Sequence, residues 1–217
     1  MKSLVYLSFV ILFLTTLTSC ELFEKDEDTS IEGDQSPMGE VGTTVGSSSG
    51  EISGVSGVTA VVTSVKDGIS TYSGSAVVKN TFLKNLLANF PEMVMKGDTV
   101  TTTNLKFQNT KEGIALKTGS TQGTLVKYDS EVGDEYPIDG TGEKRKVISK
   151  STTDDYSYGF ILIKVMKVEE YPTKLRGSGV NKVNYIANHK FGLVGVEFFF
   201  DDGTSAKFPL YTSAENK

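Results

Sequence analysis

Few side chains in this 217-residue chain have the chemistry of a catalytic group. Residues 46–50 match G-x-S-x-G, which places Ser48 where many hydrolases carry their nucleophile, and His189 follows later in the chain. Such a serine needs a strand before it and a helix after it, whereas this stretch is a run of Gly and Ser. We therefore expect no enzyme, and a hydrolase that uses Ser48 or His189 is the lesser alternative.

Metal and cofactor sites are not expected either. Zinc takes three or four protein ligands, and the chain has one histidine and one cysteine. His189 lies between Asn188 and Lys190 and is predicted to be an exposed turn residue. The basic residues 144–146 follow two glycines, but no helix N-terminus completes a phosphate site, so they are predicted to be solvated.

The single cysteine, Cys20, belongs to a different chemistry. Residues 4–14 are an apolar run of 11, and a spanning helix needs about 20, so residues 1–19 are predicted to be a signal peptide. The four residues that end this segment resemble the lipobox of bacterial lipoproteins: Leu17, Thr18, Ser19 and Cys20. The resemblance implies that the signal peptidase recognises the first three and that Cys20 carries the lipid anchor. The alternative is an ordinary cysteine in an uncleaved helix.

A second short motif concerns the side of the membrane. Four residues resemble the Lys-plus-acids signal of lipoproteins displayed on the outer face of the outer membrane: Lys25, Asp26, Glu27 and Asp28. The resemblance implies an outer-membrane lipoprotein on the cell surface. The alternative is an acidic linker that charge repulsion keeps extended, with the domain on the periplasmic face.

Charge is concentrated near the N-terminus. Residues 21–40 hold eight acidic side chains and one lysine, whereas residues 41–217 hold 20 basic and 19 acidic side chains. A nearly neutral body has no field to attract nucleic acid, so no nucleic-acid partner is expected.

The rest of the chain predicts one β-rich domain. Residues 20–57 resemble a spacer in composition, acidic at first and then rich in Gly and Ser, and residues 58–217 are predicted to form a single domain. Asn80 is a good N-cap and Pro91 a stop, so residues 80–90 are predicted to be a helix that packs on a sheet. Short connections favour antiparallel neighbours after residue 91.

Two hairpins and one central strand are predicted in detail. Asp67 and Gly68 are typical of a two-residue hairpin turn. Residues 193–200 and 204–211 pair best through a three-residue loop, which sets Phe198 opposite Ala206 on one face. Residues 160–165 are apolar on both faces at the start of the segment and are predicted to be a central strand covered by the helix.

The last third of the chain resembles bacterial envelope proteins built as open antiparallel half-barrels. The resemblance lies in residues 132–137 and 185–198, although Tyr136 stands where that family has Trp. It implies a curved antiparallel sheet, a half-barrel or open barrel, wrapped on one helix. A closed barrel of the lipocalin type is the alternative.

These observations predict a lipid-anchored, non-catalytic binding or accessory protein whose partner is a protein or an apolar ligand. One alternative is a carrier that holds an apolar or lipid molecule between the sheet and helix 80–90. Another is glycan binding through exposed aromatic side chains: Tyr156, Tyr158 and Tyr171. The absence of Trp from the chain weakens the glycan alternative, since Trp is the strongest stacking side chain.

Overall fold

The computed structural model describes residues 31–48, 50–119, 122–171 and 177–216. Within these ranges the chain is mostly β, with one α-helix, α1 (Thr81–Leu87), and a short 3₁₀ turn at Pro37–Gly39. The strands in chain order are β1 (Thr44–Gly46), β2 (Val55–Lys66), β3 (Ile69–Val78), β4 (Met93–Lys96), β5 (Thr99–Asn109), β6 (Gly113–Leu116), β7 (Gly123–Lys127), β8 (Glu135–Pro137), β9 (Lys144–Lys150), β10 (Tyr156–Tyr158), β11 (Ile161–Ile163), β12 (Met166–Glu170), β13 (Val180–Asn188), β14 (Gly192–Phe200), β15 (Ser205–Pro209) and β16 (Tyr211–Thr212).

The strands form two large antiparallel sheets and one small hairpin. The first sheet has the order β16-β1-β2-β3-β5-β6-β7, with β4 paired to β5 beside this path. The second has the order β15-β14-β13-β12-β9-β8, and β10 pairs with β11. The chain passes from the second sheet to the first between Pro209 and Tyr211. This strongly curled antiparallel half-barrel with a single described helix confirms the predicted fold class.

Apolar side chains fill the space between the sheets. One cluster lies beneath α1 and joins Leu83 to Val100 of the first sheet and Val183 of the second. A second cluster joins Val126 of the first sheet to Val168 of the second. A third cluster seats the β10–β11 hairpin on the second sheet: Tyr156, Ile163, Val165, Ile186 and Val194. Burial of each such side chain contributes about 1.5–3 kcal/mol, so the first two clusters hold the two sheets together and the third holds the hairpin on the second sheet.

The helix forms where the sequence predicts it. The Asn80 side chain accepts a hydrogen bond from the backbone N–H of Leu83 at 3.1 Å, which caps the first turn. Leu83 and Leu86 are buried, and Phe82 stacks on Phe200 at 5.1 Å between ring centroids. The helix ends at Leu87, three residues before the predicted end at residue 90.

Both predicted hairpins are confirmed. Asp67 and Gly68 have φ of 51° and 74°, as a two-residue type I′ turn requires, and they join β2 to β3. In the β14–β15 hairpin, Phe198 lies opposite Ala206, and Gly203 has φ of 83° in a three-residue loop. This register keeps apolar residues on the buried face, as predicted.

The predicted spacer is wrong for residues 31–57. Ile31, Ser36 and Met38 are buried, and the segment from residue 31 to 43, here called the strap, is hydrogen-bonded to the β5–β6 turn and to β3. Beyond it, β1 pairs with β2 and β16, and β2 begins at Val55, so the domain does not begin at residue 58. The composition was misleading because the strap is held by backbone hydrogen bonds and a few buried side chains, without an apolar period.

The prediction for residues 160–165 is also wrong. Ile161–Ile163 form β11, which pairs with β10 in a small hairpin outside the main sheets. Phe160, Ile161 and Leu162 are exposed, whereas Ile163 and Val165 are buried in the third cluster. The helix lies over another cluster and does not cover this segment.

Candidate functional site

The residues predicted to carry the lipid anchor and the export signal lie outside the described residues. They are Leu17, Thr18, Ser19, Cys20, Lys25, Asp26, Glu27 and Asp28. These assignments remain predictions from the sequence. The domain that such an anchor would hold is described from Ile31 onward.

Ser48 and His189 do not form a catalytic pair in the described structure. Ser48 follows β1 in a half-buried loop, and the next regular element described after it is β2. His189 is exposed in the turn between β13 and β14, as predicted for a turn residue. Among the described hydrogen bonds none joins the two side chains, so the G-x-S-x-G match lacks both the helix and the base that the motif needs.

The three tyrosines considered for glycan binding are not displayed together. Tyr156 is buried in the third cluster, and Tyr158 is half-buried, stacked on Phe191 at 4.7 Å. Tyr171 is 57% exposed at the end of β12. These residues form no continuous aromatic face for a sugar ring.

The structure contains an apolar cavity of about 200 Å³ between the two sheets. Its walls come from β1, β2, β3, β5, β6, β14 and β16, together with the strap and the turn before β14. The lining includes Met38, Ala60, Tyr72, Phe107, Phe191 and Leu193. Several of these side chains are only half-buried, so the cavity reaches the surface. The helix contributes no lining residue, so this space is not the predicted one between the sheet and helix 80–90.

The polar groups at the cavity are already bonded to each other. The Asn109 side-chain amide donates to the Tyr72 hydroxyl at 3.0 Å, and that hydroxyl donates to the Met38 carbonyl at 3.1 Å. Burial raises the pKa of Tyr72 to about 12, and the bond from Asn109 opposes this shift in part. Tyr72 is therefore neutral at physiological pH, and a ligand meets apolar walls rather than unsatisfied donors or acceptors.

The size of the cavity limits the ligand. Pockets for drug-sized ligands usually measure about 300–1,000 Å³. An engineered apolar cavity of about 150 Å³ in another protein stays dry and binds benzene. A cavity of about 200 Å³ therefore suits one substituted ring or a short alkyl segment.

A buried ion pair lies elsewhere in the core. The Arg145 Nε donates to Glu170 Oε2 at 2.7 Å, and the Tyr185 hydroxyl donates to the same oxygen at 2.8 Å. Arg145 also donates to the Thr124 carbonyl at 3.0 Å. Burial is the main cause of the raised pKa of Tyr185, followed by the charge of Glu170. The prediction that residue 145 is solvated is thus wrong, because Arg145 faces inward on β9 while its neighbours Lys144 and Lys146 face out.

Two other kinds of site, a metal site and a membrane-spanning helix, find no support among the described residues. Among the described residues there is no group of three or more His, Cys, Asp or Glu that could hold a metal ion. No α-helix in the described ranges has the length and apolar character to cross a membrane. Comparison with protein-family models, with curated proteins and with solved structures finds no match to this chain.

Proposed function

We propose that this chain is a lipid-anchored, non-catalytic binding protein of the bacterial outer membrane, and that it holds a small apolar molecule in the cavity beside Tyr72. The cavity is the observation that supports ligand binding, since its walls are apolar and its polar groups are mutually satisfied. This proposal keeps the apolar carrier considered from the sequence and moves its ligand away from the helix.

The ligand site is tested by methyl NMR of the mature protein in lipid nanodiscs, titrated with p-xylene. The methyl signals of Ile114 and Leu193, which line the cavity, should shift saturably, and those of Leu86 beneath the helix should not. Ala60→Leu fills the cavity and should abolish the shifts. Ala88→Leu makes the same change at an exposed position after α1 and should leave them intact.

The two outcomes are distinct. Saturation at Ile114 and Leu193 that Ala60→Leu removes supports a specific site. Equal, unsaturated shifts at cavity and control methyls would show that p-xylene partitions into lipid alone, and the ligand proposal would fail.

The anchor is tested separately in cells. Cys20→Ser should abolish labelling by radioactive palmitate and release the protein from the outer-membrane fraction, because the sulfur carries the acyl chains. Neutralising Asp26, Glu27 and Asp28 as amides should protect the domain from protease added to intact cells. Palmitate labelling that persists in the Cys20→Ser variant would contradict the assignment of the anchor.

A further inference from the structure

The β10–β11 hairpin ends in an exposed apolar tip. Phe160 is 109% exposed, Ile161 50% and Leu162 57%, and these three residues are here called the apolar tip. Three consecutive large apolar side chains in solvent are unfavourable for a monomer in water and typically mark a contact surface. The tip projects from the domain, so only a soft or concave surface can bury its side chains.

The base of the hairpin holds the tip in place. Tyr158 stacks on Phe191 at 4.7 Å and lies 5.2 Å from Tyr211, both measured between ring centroids. The backbone N–H of Thr212 donates to the Tyr158 hydroxyl at 3.3 Å. The hairpin is therefore fixed to the domain just behind the residues that solvent reaches.

The tip and the strap are attached to the same turn. Asn216 donates through its side-chain amide to the carbonyl of His189, and it accepts a hydrogen bond from Ser36 of the strap at 2.7 Å. Phe191, two residues after His189, carries the stacked Tyr158. Ser36, five residues after the described chain begins, thus lies at the end of the domain from which the apolar tip projects.

The length of chain before the domain sets the distance to the anchor. Ten residues lie between Cys20 and Ile31, and the eleven Cα–Cα steps that join these two residues span at most about 40 Å. Ile31 is itself buried, so no further chain is free to lengthen this connection. An anchored domain is therefore held within about 40 Å of the lipid by a chain that enters on the side of the tip.

We propose that the apolar tip inserts into the membrane that carries the lipid anchor, and so fixes the orientation of the domain on that membrane. This inference rests on the anchor in the proposed function and is independent of the cavity's ligand. Fluid acyl chains accommodate a convex apolar tip, whereas a protein partner must present a matching pocket. Phe191 and Thr212 contact the hairpin and also line the cavity, so insertion places one wall of the cavity beside the lipid.

A single tryptophan tests the insertion, because the chain has none of its own. Phe160→Trp is prepared as mature lipidated protein and reconstituted into phosphatidylethanolamine and phosphatidylglycerol vesicles, with or without brominated acyl chains. We expect a blue-shifted emission and at least twofold quenching by the brominated lipid. Val94→Trp, at a 53% exposed position on β4 near α1, is the matched control and should be neither shifted nor quenched.

Flotation of the vesicles separates the two claims. Protein that does not float with vesicles refutes the anchor, and the insertion proposal falls with it. Protein that floats, with the Phe160→Trp variant quenched no more than the Val94→Trp variant, refutes insertion alone and assigns the tip to a protein surface.

Discussion

Glu170→Gln should destabilise the fold by about 3–5 kcal/mol, the range measured when one partner of a buried ion pair is removed. Arg145 is 0% exposed and the Glu170 side chain 2%, so water does not screen the guanidinium once the carboxylate charge is gone. The substitution preserves side-chain volume and one oxygen acceptor for Tyr185. The lost free energy of unfolding therefore comes from the missing carboxylate charge and not from a cavity left by a smaller side chain.

Urea denaturation followed by circular dichroism gives the free energy of unfolding. Glu131→Gln is the matched control: its ion pair with Lys150 has a similar N–O distance, 2.9 Å, but the side chains of Glu131 and Lys150 are 77% and 32% exposed. That variant should lose less than about 1 kcal/mol. Combining Arg145→Met with Glu170→Leu should cost less than Glu170→Gln alone, since both charges of this buried pair are then replaced by apolar side chains. Equal losses in the Glu170 and Glu131 variants would refute this reasoning.

Three further outcomes are expected. Gly179→Ala should destabilise the fold more than Gly177→Ala, as measured by thermal unfolding. Both glycines have positive φ, but only at Gly179 would an added Cβ atom collide with a side chain of the helix, that of Phe82. The stabilisation that comes from the raised pKa of Tyr72, roughly 2–3 kcal/mol, should be lost between pH 10 and pH 12. It is fully present below pH 10, where the unfolded chain still keeps this proton, and it is lost as the pH rises to the folded pKa of about 12. Tyr72→Phe should remove this pH dependence from alkaline denaturation curves. Ser36→Ala should lower the free energy of unfolding by about 1–3 kcal/mol, because the side-chain oxygen of buried Asn216 then loses the hydroxyl that donates to it. The same variant should speed amide hydrogen exchange in the strap, and unchanged exchange would contradict the packing of the strap.

The parts of the fold that follow from local chemistry could be predicted from the sequence. The Asn80 cap depends only on a hydrogen bond to the N–H of residue 83, three positions along the chain, so it is a local feature of the sequence. Asp67 and Gly68 accept positive φ more readily than most residues, so the turn they form is nearly independent of its surroundings. The register of Phe198 opposite Ala206 followed from keeping apolar residues on one face.

The parts that depend on distant contacts could not be predicted. Residues 160–163 are apolar on both faces, and nothing in that pattern distinguishes a central strand from a hairpin that exposes Phe160. The strap lacks an apolar period because partners about 180 residues away, such as Asn216, hold it. The burial of Arg145 depends on Glu170 in a neighbouring strand.

The cavity likewise depends on contacts between distant parts of the chain. Its walls combine residues from seven strands with Met38 of a segment whose composition is that of a spacer. Alternation along a strand shows which side chains face inward. The volume left between them depends on the separation of the two sheets.

The meeting of the first and last described segments has a consequence for biosynthesis. β1 pairs with β2 on one edge, and its other edge is completed only by β16, about 165 residues later in the chain. The bond between Ser36 and Asn216 likewise joins residues 180 positions apart. Until β16 has been synthesised, β1 presents an unpaired strand edge, which is a template for aggregation. The first sheet is therefore completed only once β16 has been made, and truncations that remove β16 should lower the solubility of the protein.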